Sequence, residues 1–146
     1  MKIKCLSALL PIYNEEENIE NVFKSVTEFL PKIAEEYELI LIDDGSTDST
    51  YKIIKRLSRN AAYVKTIHYS KNKGYGNALK FGFKIAQFPL IFFMDSDGQF
   101  DISDIEKLVA FANEYDIVVG VRSVRSDSLY RVILGRIYNK LICMLF

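Results

Sequence analysis

Residues 90–99 read Leu-Ile-Phe-Phe-Met-Asp-Ser-Asp-Gly-Gln, an apolar run that passes directly into two carboxylates one residue apart. A continuous apolar run of this length is the pattern of a strand covered on both faces. In open parallel sheets, ligands bind beyond the carboxyl ends of such strands. The same pattern recurs along the chain. Leu6 to Tyr13, Glu38 to Asp43, Tyr63 to Tyr69 and Asp116 to Val121 read as further strands, and each runs into a polar cluster. The clusters are Pro11 to Glu15, Asp43 to Asp48, Asn72 to Asn77 and Gly120 to Arg122. Amphipathic stretches lie between the strands. One runs from about Glu15 to Glu36, marked by Ile19, Val22, Phe23, Val26 and Leu30. The others centre on Ile53, Ile54 and Leu57, on Ala78 to Ala86, and on Ile105, Leu108, Val109 and Ala112. Asn14 with Glu17, and Ser103 with Glu106, have the spacing of capping boxes. This strand–helix alternation predicts an α/β fold, a Rossmann-like and mostly parallel sheet with helices on both faces.

The chain has 146 residues, the length of one domain, and residues 1–146 are read as a single unit. An apolar share of 49% with 26% charged residues excludes a disordered chain. Lys plus Arg and Asp plus Glu each number 19, a balance that excludes a general nucleic-acid binder, which needs a basic surplus. Cys5 and Cys143 lie at opposite ends and suggest neither a disulfide framework nor a zinc cluster. With no leader pattern, the cytoplasm is the expected compartment. No apolar run approaches the ~18–20 residues that span a bilayer.

The neutral total hides an asymmetry. From residue 121 onward, Arg122, Arg125, Arg131, Arg136 and Lys140 face Asp127 alone. Residues 129–146 read as a basic amphipathic helix with the stripe Ile133, Leu134, Ile137, Tyr138, Leu141, Ile142 and Leu145. The stripe runs to the last residue without a cap, so the chain is expected to be the N-terminal part of a longer protein. Such a helix can lie on an anionic membrane surface, which would place the protein peripherally on the cytoplasmic membrane face. It can also pack on the sheet, or mediate self-association.

Asp95 and Asp97 are the sharpest chemical signal. Two carboxylates on one side of a strand end repel, and a hard divalent cation, Mg²⁺ or Mn²⁺, relieves that repulsion. Gln99 offers a third oxygen, and Ser96 lies between the pair. The same residues are also good turn formers. Asp43 or Asp44 at the end of the second strand is placed to accept from a nucleobase N–H or ribose hydroxyls, and Asp48 to cap the following helix. Glu15 is the acid of the Glu15–Glu17 run expected to face a ligand. Gly74 allows close backbone approach, although with Gly76 it forms no dinucleotide fingerprint. His68, on an apolar strand, reads as a core residue. Arg122 and Arg131 suit either a diphosphate clamp or a solvated basic face.

Taken in series, PIYNEEENI (11–19), DDGSTDST (43–50), NKGYGNAL (72–79), MDSDGQF (94–100) and VGVRS (119–123) resemble the family 2 glycosyltransferases of the GT-A fold. The branch most similar is that of the polyprenyl-phosphate hexosyltransferases, relatives of dolichol-phosphate mannosyltransferase. The resemblance covers Leu6 to about Lys140. It implies inverting transfer of a hexose from a GDP- or UDP-sugar to a polyprenyl phosphate. It also implies a base pocket of Pro11, Tyr13, Glu15 and Ile42 with Asp43 or Asp44. Asp95, Asp97 and Gln99 would hold the metal on the donor diphosphate, and Arg122 and Arg131 would meet its phosphates. Asp97, Arg122 and Arg131 then form the set that assists the leaving group. The sequence departs from the branch at Ile102 and Ser103, where a proline is usual nearby. The family's acceptor half would follow residue 146.

Two other readings compete. A strand ending in Asp-x-Asp also opens haloacid-dehalogenase-type phosphohydrolases, but those place it first in the chain and need further Lys and Asp downstream. The second is a nucleotide-sugar-binding fragment or subunit with no catalysis of its own.

Overall fold

The computed structural model describes residues 2–120 together with 140 and 144. Arg122, Arg131 and, apart from those two positions, the expected 129–146 helix lie outside the described residues. In chain order the elements are β1 (Ile3–Ile12), α1 (Ile19–Ile33), β2 (Ala34–Asp43), α2 (Thr50–Leu57), β3 (Val64–His68), α3 (Tyr75–Ile85), β4 (Ile91–Phe93) and α4 (Ile105–Val109). Every pairing is parallel, in the order β3-β2-β1-β4. Two short 3₁₀ turns, Ser58–Asn60 and Ile102–Asp104, precede β3 and α4.

The two-residue period of a strand divides the core between the faces of the sheet. Leu6, Ala8, Leu10 and Ile12 of β1, with Leu39 and Leu41 of β2, pack under α1 and against Ile54 and Ile105. The α1 stripe Ile19, Val22, Val26, Phe29, Leu30 and Ile33 meets them at helical spacing. Leu9, Ile40 and Ile42 point the other way, onto Ala78 and Ile85 of α3. At Gly82 the helix comes so close that a Cβ would sit 2.6 Å from Ile42 Cδ1. Helices therefore cover both faces, as the sequence predicts.

Three local expectations are corrected. The first helix ends at Ile33 and β2 starts at Ala34, four residues before the expected strand. Pairing of Ile3 to Leu6 with Ala34 to Tyr37 draws those residues into the sheet, and Pro31 weakens the helix end. The capping boxes do not form. Asn14 instead turns with φ +55° and accepts from Thr47 N–H, while Ser103 donates to Asp101. Residues 116–120 form no strand, and Ile117 and Val119 are 81% and 72% exposed. A strand needs a hydrogen-bonded neighbour, and among the described residues these have none.

One buried charge ties the sheet to its surroundings. Glu38 is 3% exposed. It accepts from Ser7 Oγ at 2.6 Å and Gln87 N–H at 2.6 Å, and Lys65 Nζ lies 2.7 Å away. Burial pushes its carboxyl up, but the bonds from Lys65, Ser7 and Gln87 outweigh it and hold the group below its ordinary value. Because the folded value is lowered, the stabilisation is complete above the unfolded carboxyl range and fades as pH falls through the folded value. Glu38→Ala leaves the Ser7 hydroxyl hydrogen and Gln87 N–H without an acceptor and is expected to cost about 3 kcal/mol at pH 7, at ~1–3 kcal/mol for each orphaned buried group. Urea unfolding at pH 7 and near pH 3 checks this: the gap between wild type and variant should narrow at the acidic pH.

Candidate functional site

The carboxyl edge of the sheet encloses a cavity of about 360 Å³, within the range of small-molecule sites. Pro11, Ile12, Tyr13 and Glu15 line it from the end of β1, and Asp44 from the end of β2. Asn72, Gly74, Tyr75 and Ala78 contribute the wall at the start of α3, and Asp95, Ser96 and Asp97 the wall after β4.

Each wall is held by a specific bond. Ser96 is 4% exposed and its hydroxyl donates to the Pro11 carbonyl at 2.9 Å. That bond turns Asp95 and Asp97, one on each side of it, toward the cavity. Asp97 Oδ1 accepts from Gln99 N–H at 3.0 Å across a turn at Gly98, φ +73°. Asp44, 3% exposed, accepts from Lys73 N–H and Gly74 N–H, both at 2.8 Å. The 71–74 turn lies so close that a Cβ on Gly45 would meet the Lys71 carbonyl carbon at 2.5 Å. Gly74 itself takes φ +90°, and α3 begins at the next residue.

The β1–α1 and β2–α2 loops are cross-bonded to each other. Asn14 N–H donates to Ser46 Oγ at 2.9 Å and Glu15 N–H to Thr50 Oγ1 at 2.8 Å. Ser49 N–H donates to Glu16 at 2.9 Å, and Glu16 N–H to Asp48 at 3.3 Å. Burial raises the Asp48 carboxyl, yet the bonds from Thr50 and Glu16 bring it below the ordinary value. Asp48 accepts from Thr50 N–H at 2.9 Å at the start of α2, close to the expected capping role.

Tyr75 was singled out by no sequence signal beyond its place in the loop. It is half exposed, yet burial, then a hydrogen bond to Asp95 and that carboxylate's charge, push its phenol up to about 12. It is thus a neutral donor at any ordinary pH.

The structure does not bring every expected residue to the cavity. Ile42 lies in the α3-side core, because the strand period that places Leu41 under α1 places Ile42 under α3. Asp43 is fully buried, accepting from Ser46 N–H at 3.2 Å and paired with His68 Nδ1 at 2.5 Å. It lies behind the cavity wall. His68 is not a core residue: its side chain is 34% exposed, paired with Asp43 and stacked on Tyr51 at 3.9 Å between ring centroids. Gln99 stands exposed on the rim. Of the expected base-pocket set, Pro11, Tyr13, Glu15 and Asp44 line the cavity; of the metal set, Asp95 and Asp97 do.

No group of three or more His, Cys, Asp or Glu side chains that could hold a metal occurs among the described residues. The pair Asp95 and Asp97 nevertheless fits a hard divalent cation of the kind held by one or two carboxylates together with substrate phosphates.

In a parallel α/β sheet, a cavity at the carboxyl edge is where the ligands of this class of domain bind. The comparisons narrow this. The model of Glycosyl transferase family 2 matches residues 7–143, and the chain belongs to that family. Among solved structures it is similar to TarS 1-349 of S. aureus, with 28% identity over 85% of this chain and 39% of that one and a TM-score of 0.63. A complex of the same protein with UDP-GlcNAc matches at 27% identity over 86% and 37% of the two chains, TM-score 0.63. The mannosyltransferase PcManGT from Pyrobaculum calidifontis, in complex with GDP-Man and Mn²⁺, shares the fold at 21% identity over 63% of this chain and 27% of that one, TM-score 0.56. The chain thus spans about two fifths or less of the length of these proteins.

His68→Leu tests the Asp43 pair. Leucine would suit a core position, but here it strips a buried carboxylate of its partner. The expected cost is ~1–3 kcal/mol, read as an earlier urea midpoint; a midpoint equal to wild type would place His68 back in the core.

Proposed function

We propose that this chain is the donor-binding part of an inverting, metal-dependent glycosyltransferase that moves a hexose from a nucleotide-diphosphate sugar to a polyprenyl phosphate. The observation that carries the reading is the convergence of Asp95, Asp97, Asp44 and the β1 end on one cavity at the carboxyl edge of the sheet. Family membership and the UDP-GlcNAc complex of TarS support a nucleotide-sugar donor, with a UDP-sugar favoured over a GDP-sugar.

In this reading, Pro11, Tyr13 and Glu15 bound the nucleotide, and Asp95 and Asp97 hold a Mg²⁺ or Mn²⁺ ion on the diphosphate. The ion would offset the charge that builds on the departing nucleoside diphosphate. Arg122 and Arg131 serve the same charge from the segment after Gly120. An anionic phosphate acceptor needs no general base, which suits a lipid phosphate. The basic 129–146 segment would bring the protein to a membrane surface on the cytoplasmic side. The chain's share of its relatives' length favours donor binding without complete transfer by this chain alone.

Calorimetric titration with UDP, UDP-GlcNAc and GDP-mannose, each in Mn²⁺ and in chelator, tests the proposal. Donor affinity is expected to depend on Mn²⁺. Asp97→Asn should weaken it by about tenfold or more in Mn²⁺ and little in chelator, since loss of a charged ligand removes ~1.5–3 kcal/mol. Equal affinity of wild type and Asp97→Asn in Mn²⁺ would sink the metal assignment. Arg122→Ala and Arg131→Ala should each weaken UDP by a similar factor and leave uridine unchanged.

A further inference from the structure

We infer that Asn18 is a positioning residue for Glu15, holding that carboxylate in place as an acceptor for the nucleoside of the donor. That role rests on the donor site proposed above, in which Glu15 bounds the nucleotide, and adds a residue to it.

Asn18 stands just before α1, where an asparagine ordinarily accepts from a backbone N–H of the first turn. Its side chain makes no such bond here. The amide turns back, and Nδ2 donates to Glu15 Oε2 at 2.9 Å. A carboxylate only accepts, so the amide has to present its nitrogen on that side. Its oxygen rests on the turn between Asp97 and Gln99, where a Cβ on Gly98 would lie 3.8 Å from Asn18 Oδ1. The amide is thus wedged, partly buried, between Glu15 and that turn.

The backbone of Glu15 is fixed as well. Its N–H donates at 2.8 Å to Oγ1 of the fully buried Thr50. Its carbonyl accepts from Asn18 N–H at 3.1 Å and Ile19 N–H at 2.9 Å. The freedom that remains lies in the glutamate side chain, and a ligand that had to freeze it would bind more weakly. Glu15 also shares its cavity with Asp44, Asp95 and Asp97, and repulsion among these acids would swing an untethered carboxylate outward. The Asn18 bond opposes that swing and leaves Oε1 to accept from an N–H or hydroxyl of the nucleoside. Because the Asn18 side chain does not cap α1, its removal should leave folding intact.

The test titrates the full chain calorimetrically with UDP and with GDP in chelator, and with inorganic pyrophosphate in Mn²⁺. Asn18→Ala removes the donor. Asn18→Asp removes it while keeping the side-chain volume and a residue suited to a helix start, so it decides the matter if Asn18→Ala melts early. Both are expected to bind the preferred nucleotide roughly three- to tenfold more weakly, the worth of one hydrogen bond, and pyrophosphate as wild type does. In the Glu15→Ala background neither should produce a further loss, because the effect passes through that carboxylate. Nucleotide affinity equal to wild type in Asn18→Asp would overturn the inference. So would an equal further loss in the Glu15→Ala background, or an equal loss for pyrophosphate, which would place the action of Asn18 on the Gly98 turn. If wild type bound neither UDP nor GDP, or if Glu15→Ala bound them as wild type does, the donor-site reading of Glu15 would fall, and Asn18 with it.

Discussion

The burial of β1 and β2 on both faces is the constraint from which the rest follows. Leu9, Leu39, Ile40, Leu41 and Ile42 are inaccessible to solvent. Each such side chain contributes ~1.5–3 kcal/mol relative to exposure. A strand committed to apolar contact above and below has no face left for chemistry. Apart from the mutually bonded Ser7 and Glu38, the buried stretches of these strands are apolar until they end, and polar groups collect there. Parallel pairing places all those ends on one edge, so the cavity forms there and not on a face of the sheet.

What happens at that edge is decided by hydrogen bonds between loops. Ser96 joins β4 to β1, Asp44 joins the end of β2 to the start of α3, and Asn14, Glu15 and Glu16 join the first loop to the second. Two of these acceptors, the buried Asp44 and the exposed Glu16, are carboxylates receiving backbone N–H groups, the stronger class of such bonds. The result is a preorganised cavity, as the proposed donor site requires. Glu38 and Ser7 tie the middle of the sheet to the 87–88 backbone in the same way, Glu38 accepting from Gln87 N–H and Ser7 Oγ from Phe88 N–H.

Membership of Glycosyl transferase family 2 and the GT-A-like architecture shared with TarS agree with this division of labour. The described residues gather Asp44, Asp95 and Asp97 on one cavity at the edge of the sheet. The chain spans about two fifths of the length of its TarS relative.

Much of this was legible in the sequence because it rests on local pattern. Continuous apolar runs at 6–13, 38–43, 63–69 and 90–95 announced covered parallel strands, and helical stripes announced α1 to α4. Asp95 and Asp97 were readable as a pair because their spacing along the chain is their relation in space. Other features depend on residues far apart in sequence, and no local rule reports them. Ala34 to Tyr37 became strand because β1 was there to pair with, while Ile117 and Val119 had no such neighbour among the described residues. His68 looked apolar by context, but a cross-strand register set it opposite Asp43 and turned both from core and ligand roles into a pair with the carboxylate buried and the imidazole partly exposed. Asp43 and Asp44 were indistinguishable as adjacent acids. The alternation of β2 turned one behind the wall and the other into it, where the backbone of residues 73 and 74 was waiting to donate. Composition and period specify which segments are strands and where polar groups collect; which of those groups meet is settled only when distant loops come within hydrogen-bonding distance.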